Sequence, residues 1–176
     1  MNRRTVRRTL LALPLSIALS LPLAACASDE PTESAGSAES AVQEVAAEVP
    51  TDLSERPEVS ASDAAVPTEL VLEDVVVGDG TEATEGTTAQ VKYVGAFYET
   101  GEEFDASWDR GEDETLPVPL GAGRVIPGFE QGIEGMQVGG RRVIAIPSEL
   151  AYGDQPPPGI PAGSDLVFVV DLVSVD

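Results

Sequence analysis

Apolar residues fall along this chain in three regimes: an almost unbroken run near the start, a long stretch where they are small and scattered, and a final region of alternation. Alternation predicts β-strands, because successive side chains of an extended chain point to opposite faces. Leu70 to Val77 reads as a strand, ended by Gly78-Asp79-Gly80, a strong turn signal. Thr88 to Tyr98 follows, with Val91, Tyr93, Gly95 and Phe97 sharing one face. Thr100-Gly101 turns the chain into a short extended piece, Glu103-Phe104-Asp105, and Leu116 to Leu120 and Arg141 to Ile146 are further strands. Leu166 to Val175 is the most apolar and β-branched of all, which predicts a central place in the sheet. The pattern allows one helix, about Gly128 to Glu134, with Pro127 at its start and Gly135 placed to end it. The sum is an α+β pattern: a bent antiparallel sheet over a single short helix.

The other two regimes predict no packed domain. Arg3, Arg4, Arg7 and Arg8 precede the apolar run Leu10 to Leu23, about 14 residues broken by Pro14 and Pro22. That is short for a bilayer span but fits the apolar region of a signal peptide over residues 1–25. It ends in Leu23-Ala24-Ala25-Cys26, which resembles a bacterial lipobox. Cys26 is the only cysteine, so no intramolecular disulfide is possible, and lipidation is the expected use of its thiol. The expectation is a protein anchored on the extracytoplasmic face of the cell membrane, not one spanning it.

From Ala27 to Val66 the chain carries ten acids against Arg56 alone and has no aromatic residue. Such a stretch buries too little apolar area to offset its ordering entropy, so residues 26–66 are expected to form a lipidated, disordered acidic linker. Val-Gln-Glu-Val-Ala-Ala-Glu within Ala41 to Glu48 suggests a short helix, but with too few anchors to hold alone. A flexible coil of this length spans on the order of 35 Å, enough to hold a domain of residues 67–176 clear of a membrane.

Charge narrows the partners. The chain has 31 acidic and 10 basic residues, no histidine, and a net charge of -21. Phosphate backbones are repelled by such a surface, which argues against nucleic acid. Gly78-Asp79-Gly80 and Asp109 to Glu114 lack the regular ligand spacing of a calcium loop, so no metal site is expected.

Particular strings go further. Val91-Lys92-Tyr93, Phe104-Asp105, Val125-Ile126-Pro127-Gly128-Phe129-Glu130-Gln131-Gly132, Met136-Gln137-Val138-Gly139-Gly140, Ala151-Tyr152-Gly153, Gly159-Ile160-Pro161 and Leu166-Val167-Phe168 follow in order. Each is weak evidence alone. In this order and spacing, Pro67 to Asp176 resembles the FKBP-type peptidyl-prolyl cis/trans isomerases throughout. The resemblance implies a bent antiparallel sheet around the helix with an apolar pocket between them. It assigns Tyr93, Phe104, Asp105, Arg110, Leu116, Val125, Ile126, Phe129, Tyr152, Ile160 and Phe168 to that pocket. Phe129 is its floor, and Tyr93, Phe104 and Phe168 are its walls. The Ile126 backbone N–H and the Tyr152 hydroxyl donate to carbonyls of the peptide, and Asp105, held by Tyr93 and Arg110, stands at the edge. Taken singly, the phenylalanines are ordinary core residues and Asp105 with Arg110 an ordinary surface ion pair. The joint match gives each of them a place.

The implied partners are X-Pro segments of exported proteins and rapamycin-like macrolides, the implied state a monomer, and no cofactor is needed. A binding module that grips proline segments without turnover is the rival, and intact Asp105 and Tyr152 favour the enzyme. Three departures stand out. Phe129 replaces a common tryptophan, Leu116 replaces a frequent aromatic, and the loop after Tyr152 is stiffened by Pro156-Pro157-Pro158. Trp108 has no place in the family pattern and is read either as a contact at the pocket rim or as a solvent-exposed loop aromatic.

Overall fold

In the computed structural model, which describes residues 33–62, 65–111 and 113–176, the alternating region becomes six antiparallel strands. These are β1 (Val71–Val76), β2 (Thr88–Phe97), β3 (Glu103–Ala106), β4 (Leu116–Pro119), β5 (Arg141–Ile146) and β6 (Leu166–Val175). Each lies within one residue of its expected bounds. The order is β1-β5-β6-β2-β3, with β4 also pairing β2, so β6 is central as its composition predicts. β3 and β4 follow one another along the same edge of β2, opposite Val94–Ala96 and Thr88–Val91 respectively. The signal peptide and Cys26 lie outside the described residues.

The expected helix spans Pro127–Ile133; since an α1 precedes it in the chain, it is α2. Pro127 fits the first turn because its missing N–H would have had no partner there. α2 buries Gly128, Phe129, Gly132 and Ile133. A Cβ on Gly132 would stand 2.6 Å from Ile144 Cδ1, so only glycine lets the helix lie this close to β5. Ile133, Ile144, Ile146, Leu166, Val170 and Leu172 close the core between helix and sheet.

The expectation of a disordered linker over residues 26–66 is corrected by the structure within its described part. Glu33–Glu48 forms helix α1. Its buried positions Ala38, Ala41, Val42, Val45 and Ala46, continued by Val49, recur at the spacing of one helical face. That face packs on the side of the sheet away from α2, against Ala96, Tyr98, Val143, Ala145, Val167 and Val169. The premise of too few anchors holds for an isolated helix, whereas here the sheet supplies the partner. The signal was present in β6, apolar at successive positions from Leu166 to Val170, where α2 can cover only one face.

Beyond α1 the chain is tied down by polar contacts. Arg141, wholly buried, pairs with Asp171 and donates to the carbonyls of Pro50 at 2.6 Å, Asp52 at 3.2 Å and Glu55 at 3.0 Å. Arg56 bridges Glu103 at 2.7 Å and Asp109 at 3.2 Å. Burial pushes the Asp171 carboxyl up from its ordinary range, and its bonds to Arg141 oppose that.

Candidate active site

Where β2, β3 and β6 face the start of α2, four aromatic rings converge. Phe168, near the start of β6, contacts the other three. Its centroid lies 4.9 Å from Phe129, 5.6 Å from Phe104 with planes at 89°, and 6.2 Å from Tyr93. Tyr93 meets Phe129 edge-on at 5.8 Å. Edge-to-face pairs of this kind contribute about 0.5–1.5 kcal/mol each beyond their buried area. Room for them depends on Gly95, which pairs with Phe168 across the β2–β6 ladder. A Cβ there would sit 2.6 Å from Phe168 Cε1 and 2.9 Å from Phe104 Cζ. Phe97 packs behind Phe104 with centroids 5.3 Å apart and stiffens that wall.

Rigid rings held apart by a bent sheet leave a hollow of about 460 Å³. Nine of the eleven pocket residues expected from the sequence line it: Tyr93, Phe104, Asp105, Leu116, Val125, Ile126, Phe129, Tyr152 and Phe168. Arg124 and Pro127 line it too, although the resemblance assigned neither to the pocket. Ile160 and Arg110 do not line it. Ile160 is half-buried in the loop after Tyr152, where its N–H donates to the Pro157 carbonyl at 3.2 Å. Trp108 is neither at the cavity nor fully in solvent: it is half-buried, with the Lys92 ammonium 3.9 Å from its ring centroid.

Arg110 acts from behind. Its Nη2 donates to Asp105 Oδ1 at 2.7 Å, to Asp105 Oδ2 at 2.9 Å and to the Tyr93 hydroxyl oxygen at 2.9 Å. The Tyr93 hydroxyl in turn donates to Asp105. Asp105 and Arg110 are nearly half-exposed, 45% and 46%, so Coulomb attraction alone contributes little. The three-way network makes the arrangement rigid. Burial and the hydrogen bond to Asp105 push the Tyr93 phenol up to about 12, so it stays a proton donor.

Two of the donors expected from the sequence line the hollow without protein partners. Among the described residues, the Tyr152 hydroxyl and the Ile126 backbone N–H make no hydrogen bond to protein. Burial, then the nearby Asp105 charge, pushes the Tyr152 phenol up and keeps it protonated. The segment carrying Ile126 is held from α2: Glu130 accepts from the Gly121 N–H at 2.7 Å and the Gly123 N–H at 3.1 Å. No group of metal-ligating side chains is assembled among the described residues.

A model of the FKBP-type peptidyl-prolyl cis-trans isomerase family matches residues 80–173, which include β2 to β5 and most of β6 and carry every wall of the hollow. The chain belongs to the FKBP family. It is 50% identical over 123 residues to the FK506-binding protein of Streptomyces anulatus, covering 69% of this chain and 98% of that one. It is 44% identical over 107 residues to a Saccharomyces cerevisiae peptidyl-prolyl cis-trans isomerase, covering 60% and 75%. Among solved structures, AtFKBP13 is similar with a TM-score of 0.56 at 37% identity, covering 64% of this chain and 97% of that chain. FkpA from Escherichia coli gives a TM-score of 0.56 at 35% identity, covering 81% and 61%. As an FKBP-type enzyme the chain is a peptidyl-prolyl cis-trans isomerase.

Proposed function

We propose that the aromatic hollow binds X-Pro segments of exported proteins and speeds their isomerisation, acting from the outer face of the membrane. One observation carries the reading of the site: an apolar cavity lined by Ile126 and Tyr152, whose backbone N–H and phenol respectively have no protein partner among the described residues.

The chemistry asks for no more. A planar peptide bond resists rotation by roughly 18–20 kcal/mol because resonance gives it partial double-bond character. At the twisted transition state that resonance is lost, and the amide is less polar and needs less hydration. A dry ring-lined cavity therefore favours the twisted form over the planar one, which is differential binding in the required direction. Ile126 N–H and Tyr152 Oη hold the flanking carbonyls still while the proline amide turns. Asp105, fixed by Arg110 and Tyr93, presents a charge at the edge where the rotating carbonyl passes. Lowering the barrier by about 5 kcal/mol yields several-thousand-fold acceleration. The same hollow accepts rapamycin-like macrolides, less tightly than a tryptophan floor would, because Phe129 lacks the larger ring and the indole N–H.

Exchange measured by NMR on short X-Pro peptides tests the site. Tyr152→Phe is expected to lower kcat/KM about two- to tenfold, the equivalent of one net hydrogen bond, and Asp105→Ala to lower it further. Activity untouched by both changes removes the assignment. The membrane placement rests on Cys26 and its lipobox. Cys26→Ser is expected to move the protein from the membrane fraction to the soluble one, and unchanged fractionation ends that part of the proposal.

A further inference from the structure

The geometry points to Arg124 as a specificity determinant that selects acidic residues beside the substrate proline; this rests on the hollow being the X-Pro site. Beyond Cys26 the chain has six cations against 31 acids. Five are committed: Arg56 to Glu103 and Asp109, Lys92 to the Trp108 ring, Arg110 to Asp105, Arg141 to Asp171, and Arg142 to Asp74. Arg124 alone has no ion pair or hydrogen bond among the described residues, although the chain has carboxylates to spare. It is exposed, and it lines the cavity.

The other formal charge on the cavity lining, Asp105, is matched by Arg110 through both carboxylate oxygens. That leaves the Arg124 guanidinium as the uncompensated charge of the cavity, in a molecule whose net charge of -21 otherwise repels anions. Its backbone is not loose. Gly121 and Gly123, just before it, are held by the Glu130 carboxylate, and Val125 and Ile126, just after it, form the cavity wall. A cation fixed at its root and unpaired at its tip meets whatever side chain flanks a bound proline. A carboxylate there gains a charge-assisted partner, and a lysine meets a like charge.

Glutamate and glutamine differ in charge but hardly in shape, so their ratio isolates the effect. Blocked, uncharged-end peptides carrying Glu or Gln immediately before or immediately after proline are compared by kcat/KM in about 0.01 M salt, where screening is weak. Arg124→Gln is expected to lower the Glu-to-Gln ratio about two- to fivefold in at least one of the two positions, the span of an exposed ion pair. Arg124→Glu is expected to lower it further, Arg124→Lys to restore most of it, and about 0.5 M salt to flatten the series. A ratio unmoved by Arg124→Gln in both positions overturns the inference. So does a loss confined to peptides with Phe before proline, which would mean that the guanidinium reads a ring face. Failure of the underlying site reading is separate: there, Tyr152→Phe and Asp105→Ala leave exchange of a neutral Leu-Pro peptide untouched.

Discussion

The two faces of the sheet are buried by different means. On one, α2 and four large rings meet at fixed angles and leave a hollow of about 460 Å³. On the other, α1 lays valines and alanines on a layer of valines and alanines, with Tyr98 at its side. Their ion pairs differ in the same way. Asp105–Arg110 is nearly half in water, while Arg141–Asp171 is sealed, with side chains 0% and 3% exposed. The first face is arranged to admit a ligand and hold a charge at its edge. The second is arranged to close.

The sharpest way to break this contrast is to delete one cation from each pair. Arg141→Ala strands a buried carboxylate and frees three backbone carbonyls, and is expected to cost about 3–5 kcal/mol in denaturant unfolding. Arg110→Ala is expected to cost less than about 1 kcal/mol while lowering kcat/KM, because its work is to hold Asp105 and Tyr93. Equal losses of stability would erase the distinction between the faces.

A middle-sized effect separates the faces functionally. Val42, fully buried on the sheet-facing side of α1, becomes a charge in an apolar layer in Val42→Asp. The expected result is undocking of α1, seen as faster amide exchange across Glu33–Glu48, with kcat/KM on a Leu-Pro peptide kept within about twofold because the hollow lies on the other face. Loss of turnover alongside the undocking would show the two faces to be coupled.

The smallest effect concerns Tyr93. Its phenol is pushed from 10.0 up to about 12, chiefly by burial. Below about pH 10 both folded and unfolded chains keep this proton and its contribution to stability is intact. Between about pH 10 and 12 the unfolded chain loses the proton first, so stability falls as pH rises through that window. Tyr93→Phe is expected to flatten that part of the profile, read by unfolding at a series of alkaline pH values. An unchanged slope would place the phenol in a wetter setting than its 6% exposure indicates.

Much of the functional face was legible along the chain. Phe104, Phe129, Phe168, Tyr93 and Tyr152 sit in strings whose order matches a family, and each string lies on one short element whose alternation or capping is local. Ile160, which lies in one such string, and Arg110, which the resemblance assigned to the pocket, stand off the cavity, because order along the chain fixes neighbourhood and not which way a loop faces. Arg124 carried no signal, since an arginine between a turn and a strand-like pair reads as ordinary surface. Only the tally of partners in three dimensions sets it apart.

The outer face was legible only in part, for a different reason. The alternation of Thr88–Phe97 and the β-branched, apolar run of Leu166–Val175 are enough to make strands, and Pro127 with the glycines after it is enough to place a short helix. Those are short-range matters of backbone sterics and side-chain period. Whether Ala38, Ala41, Val42 and Val45 form a helix depends on a partner more than ninety residues away, at Val143 and Val167. Alone, the segment cannot offset its loss of chain entropy; docked, it removes both its own apolar stripe and that of the sheet from water. The strands and the pocket residues follow from the order of amino acids, while the cover on the second face exists only because the sheet was there to receive it.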